Sequence, residues 1–176
     1  MTDFTYSVDG DGVATITWDV PGRSMNVMSL AGFAELNLLV DTAIKDTDVK
    51  GVIITSGKKD FAGGMDLNVI AKMKEDGGDA PARAVFEGVM VMHGLLRKIE
   101  RAGMDAKTNK GGKPIVAALP GTALGIGLEL PLACHRIIAA DNPRARIGLA
   151  GVKVGGGGAA GGGAPPPRAG GAAGGG

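Results

Sequence analysis

Residues 52–67 read VIITSGKKDFAGGMDL, and residues 115–131 read IVAALPGTALGIGLELP. In each stretch a short apolar run, of the kind buried in a parallel or mixed sheet, is followed by a glycine-rich loop and then by the start of a helix. A helix N-terminus presents unpaired N–H groups and the positive end of the helix dipole. Two such ends directed at one point would supply two backbone donors to a developing enolate oxygen. The same pattern also fits two ordinary strand-to-helix turns.

Strands and helices alternate along the rest of the chain, which predicts an α/β fold with right-handed crossovers. Residues 4–8 and 13–18 are predicted to form a hairpin across the turn sequence DGDG. Further strands are predicted at 52–55, 115–119, 136–140 and 145–149. Helices are predicted from the Ser29 cap to about residue 45, from about residue 66, over 81–101, and from 125 to 134. The long helix has an apolar stripe made of Val85, Val89, Met92, Leu96 and Ile99.

Glycine is unevenly distributed along the 176 residues. The chain has 32 glycines, of which 12 lie in residues 155–176, where the other residues are Ala, Pro and one Arg. This segment can bury little apolar area to offset the entropy of ordering. We therefore expect a core domain over residues 1–154, followed by a Gly/Ala/Pro tail over 155–176.

Composition excludes several classes of protein. The formal net charge is +1, which argues against a nucleic-acid binder, because such proteins carry a basic excess. The single cysteine excludes an internal disulfide, and no apolar run approaches the roughly 18 to 20 residues that a membrane span needs. The first residues lack the features of a signal peptide. We therefore expect a cytoplasmic protein without a membrane span.

Glu129 is the best single candidate for proton chemistry. It lies at the start of a helix entered through glycines, between Leu128 and Leu130, where apolar neighbours raise a carboxyl pKa and the helix N-terminus lowers it. A first-turn glutamate that only complements the dipole is the alternative interpretation. His93 is expected to be structural, and His135 to favour the C-terminal dipole of the helix that ends beside it. Neither histidine has a second ligand at metal spacing, so no metal site is predicted.

Three segments carry a family resemblance. Residues 61–66, FAGGMD, resemble the F-x-x-G-x-D motif of the crotonase (enoyl-CoA hydratase/isomerase) superfamily. Residues 113–134 resemble its second signature, and residues 25–28, MNVM, resemble its early N-A-L-type segment. The match extends from about Phe4 to Val154. Within the superfamily, the hairpin and the LELPLACH run are most similar to the hydratase domain of bacterial multifunctional fatty-acid oxidation enzymes.

The resemblance implies a crotonase-like ββα spiral, with a mixed sheet and surrounding helices, truncated at the C-terminus. It implies an enoyl-CoA hydratase that adds water to 2-enoyl-CoA thioesters in fatty-acid β-oxidation, with enoyl-CoA isomerase as a related activity. The alternative is a crotonase-fold module that binds CoA thioesters without turnover. No cofactor is implied beyond the CoA of the substrate. The resemblance also implies that the chain forms a homo-oligomer or belongs to a larger β-oxidation assembly.

The resemblance also assigns roles to individual residues. The family's first catalytic carboxylate corresponds to Glu129, and its two oxyanion-hole donors correspond to the backbone N–H groups of Met65 and Ile126. An isoleucine side chain is tolerable at the second donor if it points away from the thioester. The residues implied to line the CoA site are Arg23, Met25, Asn26, Val27, Ala62, Gly63 and Gly64, with Arg23 as a phosphate contact.

One position departs from the family. Hydratases of this type carry a second glutamate in a G-x-P-E-x-x-x-G segment, where this chain has Ala150 and Gly151. Loss of one positioned acid/base group slows a reaction by roughly 10²–10⁴-fold. The family continues with a glycine-rich loop and helices, whereas residues 155–176 of this chain are only Gly, Ala, Pro and one Arg. That contrast suggests that the residues given from about Ala150 onward stand for a traced backbone whose true side chains were not assigned.

Overall fold

The computed structural model describes residues 2–76 and 81–149. It begins with the predicted hairpin, in which β1 (Phe4–Val8) pairs antiparallel with β2 (Val13–Trp18). Asp9 fixes the turn because its Oδ1 accepts hydrogen bonds from the backbone N–H groups of Asp11, at 3.0 Å, and Val13, at 2.8 Å. The hairpin prediction is therefore confirmed.

The first helix, α1 (Leu30–Lys45), starts where its capping residue predicts. The hydroxyl of Ser29 accepts a hydrogen bond from the N–H of Gly32 at 2.9 Å, which satisfies one of the unpaired donors of the first turn. The elements that follow are β3 (Gly51–Ser56), α2 (Leu67–Asp76), α3 (Pro81–Arg101), β4 (Ile115–Leu119), β5 (Ala123–Leu124), α4 (Ile126–Ala133), β6 (Arg136–Ala139) and β7 (Ile147–Gly148).

The buried face of α3 differs from the predicted stripe at several positions. Met92, Leu95 and Ile99 are buried, whereas Val85, Val89 and Leu96 are only partly buried. Leu95 and Leu96 are the same residue type, so the sequence does not show which of them faces the core. Packing against the rest of the protein selects Leu95.

A five-stranded sheet has the order β1-β2-β3-β4-β6, and only the β1–β2 pair is antiparallel. The strands β5 and β7 form a separate parallel pair. The sheet is therefore mixed, with helices between its strands, as predicted. Because β3 and β4 are adjacent and parallel, the loops that follow them leave the same edge of the sheet.

The core between these elements uses few aromatic rings. The rings of Phe4 and Trp18 stack with centroids 5.4 Å apart, and Phe61 meets Trp18 edge-on at 6.0 Å. Phe61 belongs to the loop after β3, so this cluster fixes the start of that loop against the hairpin. None of the helices among residues 2–76 and 81–149 has the length and apolar character needed to cross a bilayer.

His135 caps a different helix from the one predicted. Its Nδ1 accepts a hydrogen bond from the N–H of Ile115 at 2.9 Å, and its Nε2 lies 3.0 Å from the carbonyl oxygen of Glu100 in the last turn of α3. A carbonyl oxygen only accepts, so Nε2 carries the proton. The imidazole therefore satisfies a C-terminal carbonyl of α3 and not of α4.

Candidate functional site

The loop after β3 and the loop after β4 are joined by main-chain hydrogen bonds. The N–H groups of Phe61 and Ala62 both donate to the carbonyl of Thr122, at 2.9 and 3.1 Å, and the N–H of Leu124 donates to the carbonyl of Ala62 at 3.0 Å. The side chain of Asp60 adds a bond from the N–H of Thr122 at 2.7 Å. The two glycine-rich segments therefore form one rigid unit.

The backbone N–H of Met65 points away from its neighbouring segment. Met28 donates its N–H to the carbonyl of Gly64 and accepts the N–H of Asp66, both at 2.9 Å. In a parallel bridge of this kind, Met28 bonds to the residues on either side of Met65. The N–H and C=O groups of Met65 itself therefore face the opposite side. Within residues 2–76 and 81–149 the Met65 N–H has no hydrogen-bond acceptor, so it is free to bind a ligand.

Ile126 begins α4 and carries the second predicted donor. As the first helical residue, it has no intrahelical acceptor for its N–H. Its side chain is only 4% exposed and belongs to the core, so it points away from the loop surface. The preceding Gly125 has φ +55° and ψ −126°, a conformation essentially restricted to glycine.

Close contact between the two loops brings the two donors together. A Cβ placed on Gly125 would lie 3.8 Å from the Cα of Gly64, and one placed on Gly127 would lie 2.7 Å from the Cβ and 3.0 Å from the carbonyl oxygen of Ala62. The first turn of α4 thus rests directly on the backbone of the first loop. This contact requires glycine at position 127.

We expect Gly127→Ala to lower the free energy of unfolding by about 1–3 kcal/mol, because the new methyl group would overlap the main chain of Ala62. Urea unfolding followed by the fluorescence of Trp18 measures the change. Gly94→Ala is the matched control, since a Cβ on Gly94, within α3, meets nothing within 4 Å. Equal stability of the two variants would contradict the close contact.

Glu129 lies in the first turn of α4, beside the second donor. Burial raises the pKa of the Glu129 carboxyl above its ordinary value, and the field of His93 lowers it by a smaller amount. In the described part of the chain this carboxylate makes no hydrogen bond or ion pair. His93, expected from the sequence to be only structural, therefore also has an electrostatic effect on Glu129.

A groove of about 510 Å³ runs between α3 and α4. Its lining includes Met90, His93 and Leu96 from α3 and Ala133 from α4. The Glu129 side chain is not part of this lining, although it lies four residues before Ala133 and its carboxyl is affected by His93.

The residues predicted to line a CoA site lie in two segments that pack together. Arg23 is exposed and its guanidinium contacts the Asp66 carboxylate at 3.2 Å. Met25 and Val27 are partly buried, and a Cβ on Gly63 would lie 2.7 Å from the Met25 sulfur.

The other members of this set lie deeper in the protein. Ala62 and Asn26 are fully buried, and Gly64 is buried. The side chain of Asn26 forms hydrogen bonds within the protein, a role that the motif alone does not reveal. The assignment of all seven residues to a CoA site stays a prediction. The position of the second family carboxylate, Gly151, lies outside the described residues.

Cys134 is protected from reaction by its environment. Burial raises the pKa of its thiol to about 12, and the sulfur lies 3.5 Å from the carbonyl oxygen of Leu130. This environment makes Cys134 a small hydrophobic residue. It excludes a nucleophilic role near neutral pH, because the thiolate is the reactive species.

The native thiol of Cys134 is expected to react with an aromatic disulfide at pH 8 on the order of 10³-fold more slowly than in the urea-unfolded chain, since so little thiolate is present. Absorbance of the released thiolate follows the reaction. Similar rates in the native and unfolded states would show that the thiol is accessible and ordinarily acidic.

With this geometry in place, comparison with known proteins identifies the family. The family model described as enoyl-CoA hydratase/isomerase matches residues 9–173. The chain belongs to the enoyl-CoA hydratase/isomerase family. The resemblance found in the FAGGMD and LGIGLELP segments is therefore confirmed.

Curated relatives include subunits of fatty acid oxidation complexes. The chain is 39% identical over 153 residues to the fatty acid oxidation complex subunit alpha of Idiomarina loihiensis, covering 86% of this chain and 20% of that protein. It is 32% identical over 146 residues to the corresponding subunit of Shewanella oneidensis, covering 82% and 19%. The chain thus spans about a fifth of the length of these relatives.

Solved structures support the crotonase fold. An enoyl-CoA hydratase/isomerase (crotonase) from Legionella pneumophila aligns with a TM-score of 0.72 at 26% identity, over 88% of this chain and 53% of that chain. One from Xanthobacter autotrophicus aligns with a TM-score of 0.71 at 28% identity, over 88% and 51%. The chain spans about half the length of these structures.

Proposed function

We propose that this chain adds water to 2-enoyl-CoA thioesters, with enoyl-CoA isomerisation as a secondary activity. The observation that carries the proposal is the pairing of two backbone donors, Met65 N–H and Ile126 N–H, on joined loops next to the carboxylate of Glu129; none of these three groups has a hydrogen-bond partner among the described residues. Family membership and the fatty acid oxidation relatives support the substrate class.

The two donors would bind the thioester carbonyl oxygen. Hydrogen bonds from Met65 and Ile126 polarise that carbonyl and stabilise the enolate that forms when a nucleophile adds to the double bond. Because both donors belong to main chain fixed by the inter-loop bonds, no reorganisation is needed when the charge develops. The proposed site requires no cofactor apart from the CoA carried by the substrate.

Glu129 would move the proton. Its ionised carboxylate accepts a proton from water while the water oxygen bonds to Cβ, and the electron pair of the double bond shifts onto the thioester as an enolate. The carboxyl group then returns the proton to Cα, which restores the thioester carbonyl. The raised pKa of Glu129 suits a group that must both accept and release a proton.

The fatty acid oxidation relatives also suggest the cellular setting. We infer that the chain acts on intermediates of β-oxidation in the cytoplasm, as part of a homo-oligomer or of a larger assembly. The relatives from Idiomarina loihiensis and Shewanella oneidensis, which are subunits of fatty acid oxidation complexes, support this inference.

Crotonyl-CoA is the direct test substrate. Hydration removes the conjugation between its double bond and the thioester, so ultraviolet absorbance is expected to fall when the chain is added. A 3-enoyl-CoA tests isomerisation through the opposite change, a gain of absorbance. Binding of crotonyl-CoA without any loss of absorbance would overturn the proposed hydration and indicate a binding module.

A further inference from the structure

Among the residues whose burial is described, Asn26 is the polar residue whose side chain is completely buried. Its amide nitrogen lies 2.9 Å from the carbonyl oxygen of Trp18 and 3.0 Å from that of Phe61, and its Oδ1 accepts the N–H of Val20 at 3.0 Å. The two carbonyls can only accept and the N–H can only donate, so the orientation of the amide is unambiguous.

These bonds connect the first donor loop to the sheet. Trp18 ends β2, and Phe61 lies in the loop that leads to Met65. The main-chain carbonyl of Asn26 also accepts the N–H of Gly63 at 2.8 Å. Asn26 therefore holds the loop at Phe61 and at Gly63, which lie four and two positions before the proposed donor Met65.

Ser56 extends the network to the end of β3. Its hydroxyl lies 3.0 Å from the Asn26 amide nitrogen and donates to the carbonyl of Asp60 at 2.7 Å. Asp60 in turn accepts the N–H of Thr122 from the second donor loop. A continuous chain of hydrogen bonds thus runs from Asn26 to both loops.

We propose that Asn26 is a positioning residue for the oxyanion hole, which it serves by fixing the loop that carries the Met65 N–H. This inference rests on the proposed function. A hydrogen-bond donor must be held within about 0.5 Å of its productive position to stabilise a developing charge. Met28 holds the residues on either side of Met65, and Asn26 holds the preceding part of the loop, so the position of the Met65 N–H depends on both.

Cinnamoyl-CoA provides a readout that does not depend on turnover. Its conjugated thioester absorbs at longer wavelength when donors polarise the carbonyl oxygen, so the red shift on mixing with the chain reports the oxyanion hole. We expect Asn26→Ala to retain less than half of the shift of the parent chain. Its Kd for cinnamoyl-CoA should change by no more than about threefold, because the Asn26 side chain is completely buried and bonded within the protein and so does not itself contact the CoA portion.

Two further variants make the test decisive. Ser56→Ala removes one member of the network and leaves Asn26 in place, so we expect an intermediate shift. Val40→Ala, in the buried face of α1, weakens the core away from the donor loops and is expected to keep the full shift. If Asn26→Ala does not fold, Ser56→Ala decides the question alone.

The outcomes separate the inference from the function on which it rests. A full red shift in folded Asn26→Ala, or in Ser56→Ala if Asn26→Ala does not fold, overturns the positioning role and leaves the proposed function intact. A parent chain that binds cinnamoyl-CoA without any shift overturns the oxyanion hole, and with it both proposals.

Discussion

Glu129→Gln is expected to lower the rate of crotonyl-CoA hydration by about 10²–10⁴-fold, because glutamine keeps the size of the side chain but can neither accept nor return the proton. The affinity for crotonyl-CoA should change little, since the donors from Met65 and Ile126 remain. The measurement is the loss of ultraviolet absorbance at saturating substrate. Glu87→Gln, at an exposed position on α3 away from the groove, is the matched control and should keep the parent rate.

The pH dependence of hydration provides a second readout of the same residue. Glu129 must be ionised to accept the proton, so kcat/KM is expected to fall as the pH drops through the raised pKa of Glu129. This fall should begin at a higher pH than an ordinary glutamate would produce. A rate that stays constant well below the raised pKa would show that another group accepts the proton.

Glu129→Gln is also expected to stabilise the fold at neutral pH. The raised pKa means that the folded chain binds the proton more tightly than the unfolded chain, so ionisation of Glu129 costs stability. This cost is fully present when the pH is above the pKa of Glu129 in the folded chain. It disappears when the pH is below the pKa of Glu129 in the unfolded chain. The gain in stability from the variant, measured by urea unfolding with Trp18 fluorescence, should therefore vanish in acid. A gain independent of pH would contradict the burial of the charge.

Gly151→Glu is expected to raise the hydration rate by about 10²–10⁴-fold, because it supplies a carboxylate at the position where the family resemblance expects a second one. The same crotonyl-CoA assay measures the gain. Sequencing of the protein after Leu149 should accompany it, since the residues from Ala150 onward decide whether the parent chain lacks this carboxylate.

Gly151→Gln separates the carboxylate from the added side chain. It has the same size as the Gly151→Glu variant but no acid/base group, so we expect it to leave the rate near that of the parent. An equal gain in both variants would mean that the side chain acts by packing. No gain in either would show that position 151 does not contribute to hydration.

Local patterns in the sequence predicted most elements well. The DGDG turn and the Ser29 cap depend on neighbours in the chain, and the structure confirms both of them. The same holds for the two strand–loop–helix segments, since a short apolar run and a glycine-rich loop determine their order. These patterns were enough to select Glu129 as a candidate, whereas the choice of Met65 and Ile126 came from the family resemblance.

Features that depend on tertiary pairing were not predictable in the same way. The two-residue strand β5 exists because Ala123 and Leu124 pair with Ile147 and Gly148, which are distant in sequence. The His135 cap of α3 joins residues 35 positions apart. The burial of Asn26 likewise follows from contacts with three separate segments, and its position in a motif does not show whether it faces solvent or the core.

A single turnover in D₂O tests whether the joined donor loops and Glu129 add water to an enoyl thioester. Crotonyl-CoA is incubated with a molar excess of the chain and the product is analysed by mass spectrometry. The account predicts a hydrated thioester with one solvent deuterium at Cα, formed much more slowly by Glu129→Gln. Recovery of unchanged crotonyl-CoA from a chain that binds it, or equal hydration by the parent and Glu129→Gln, would contradict the account.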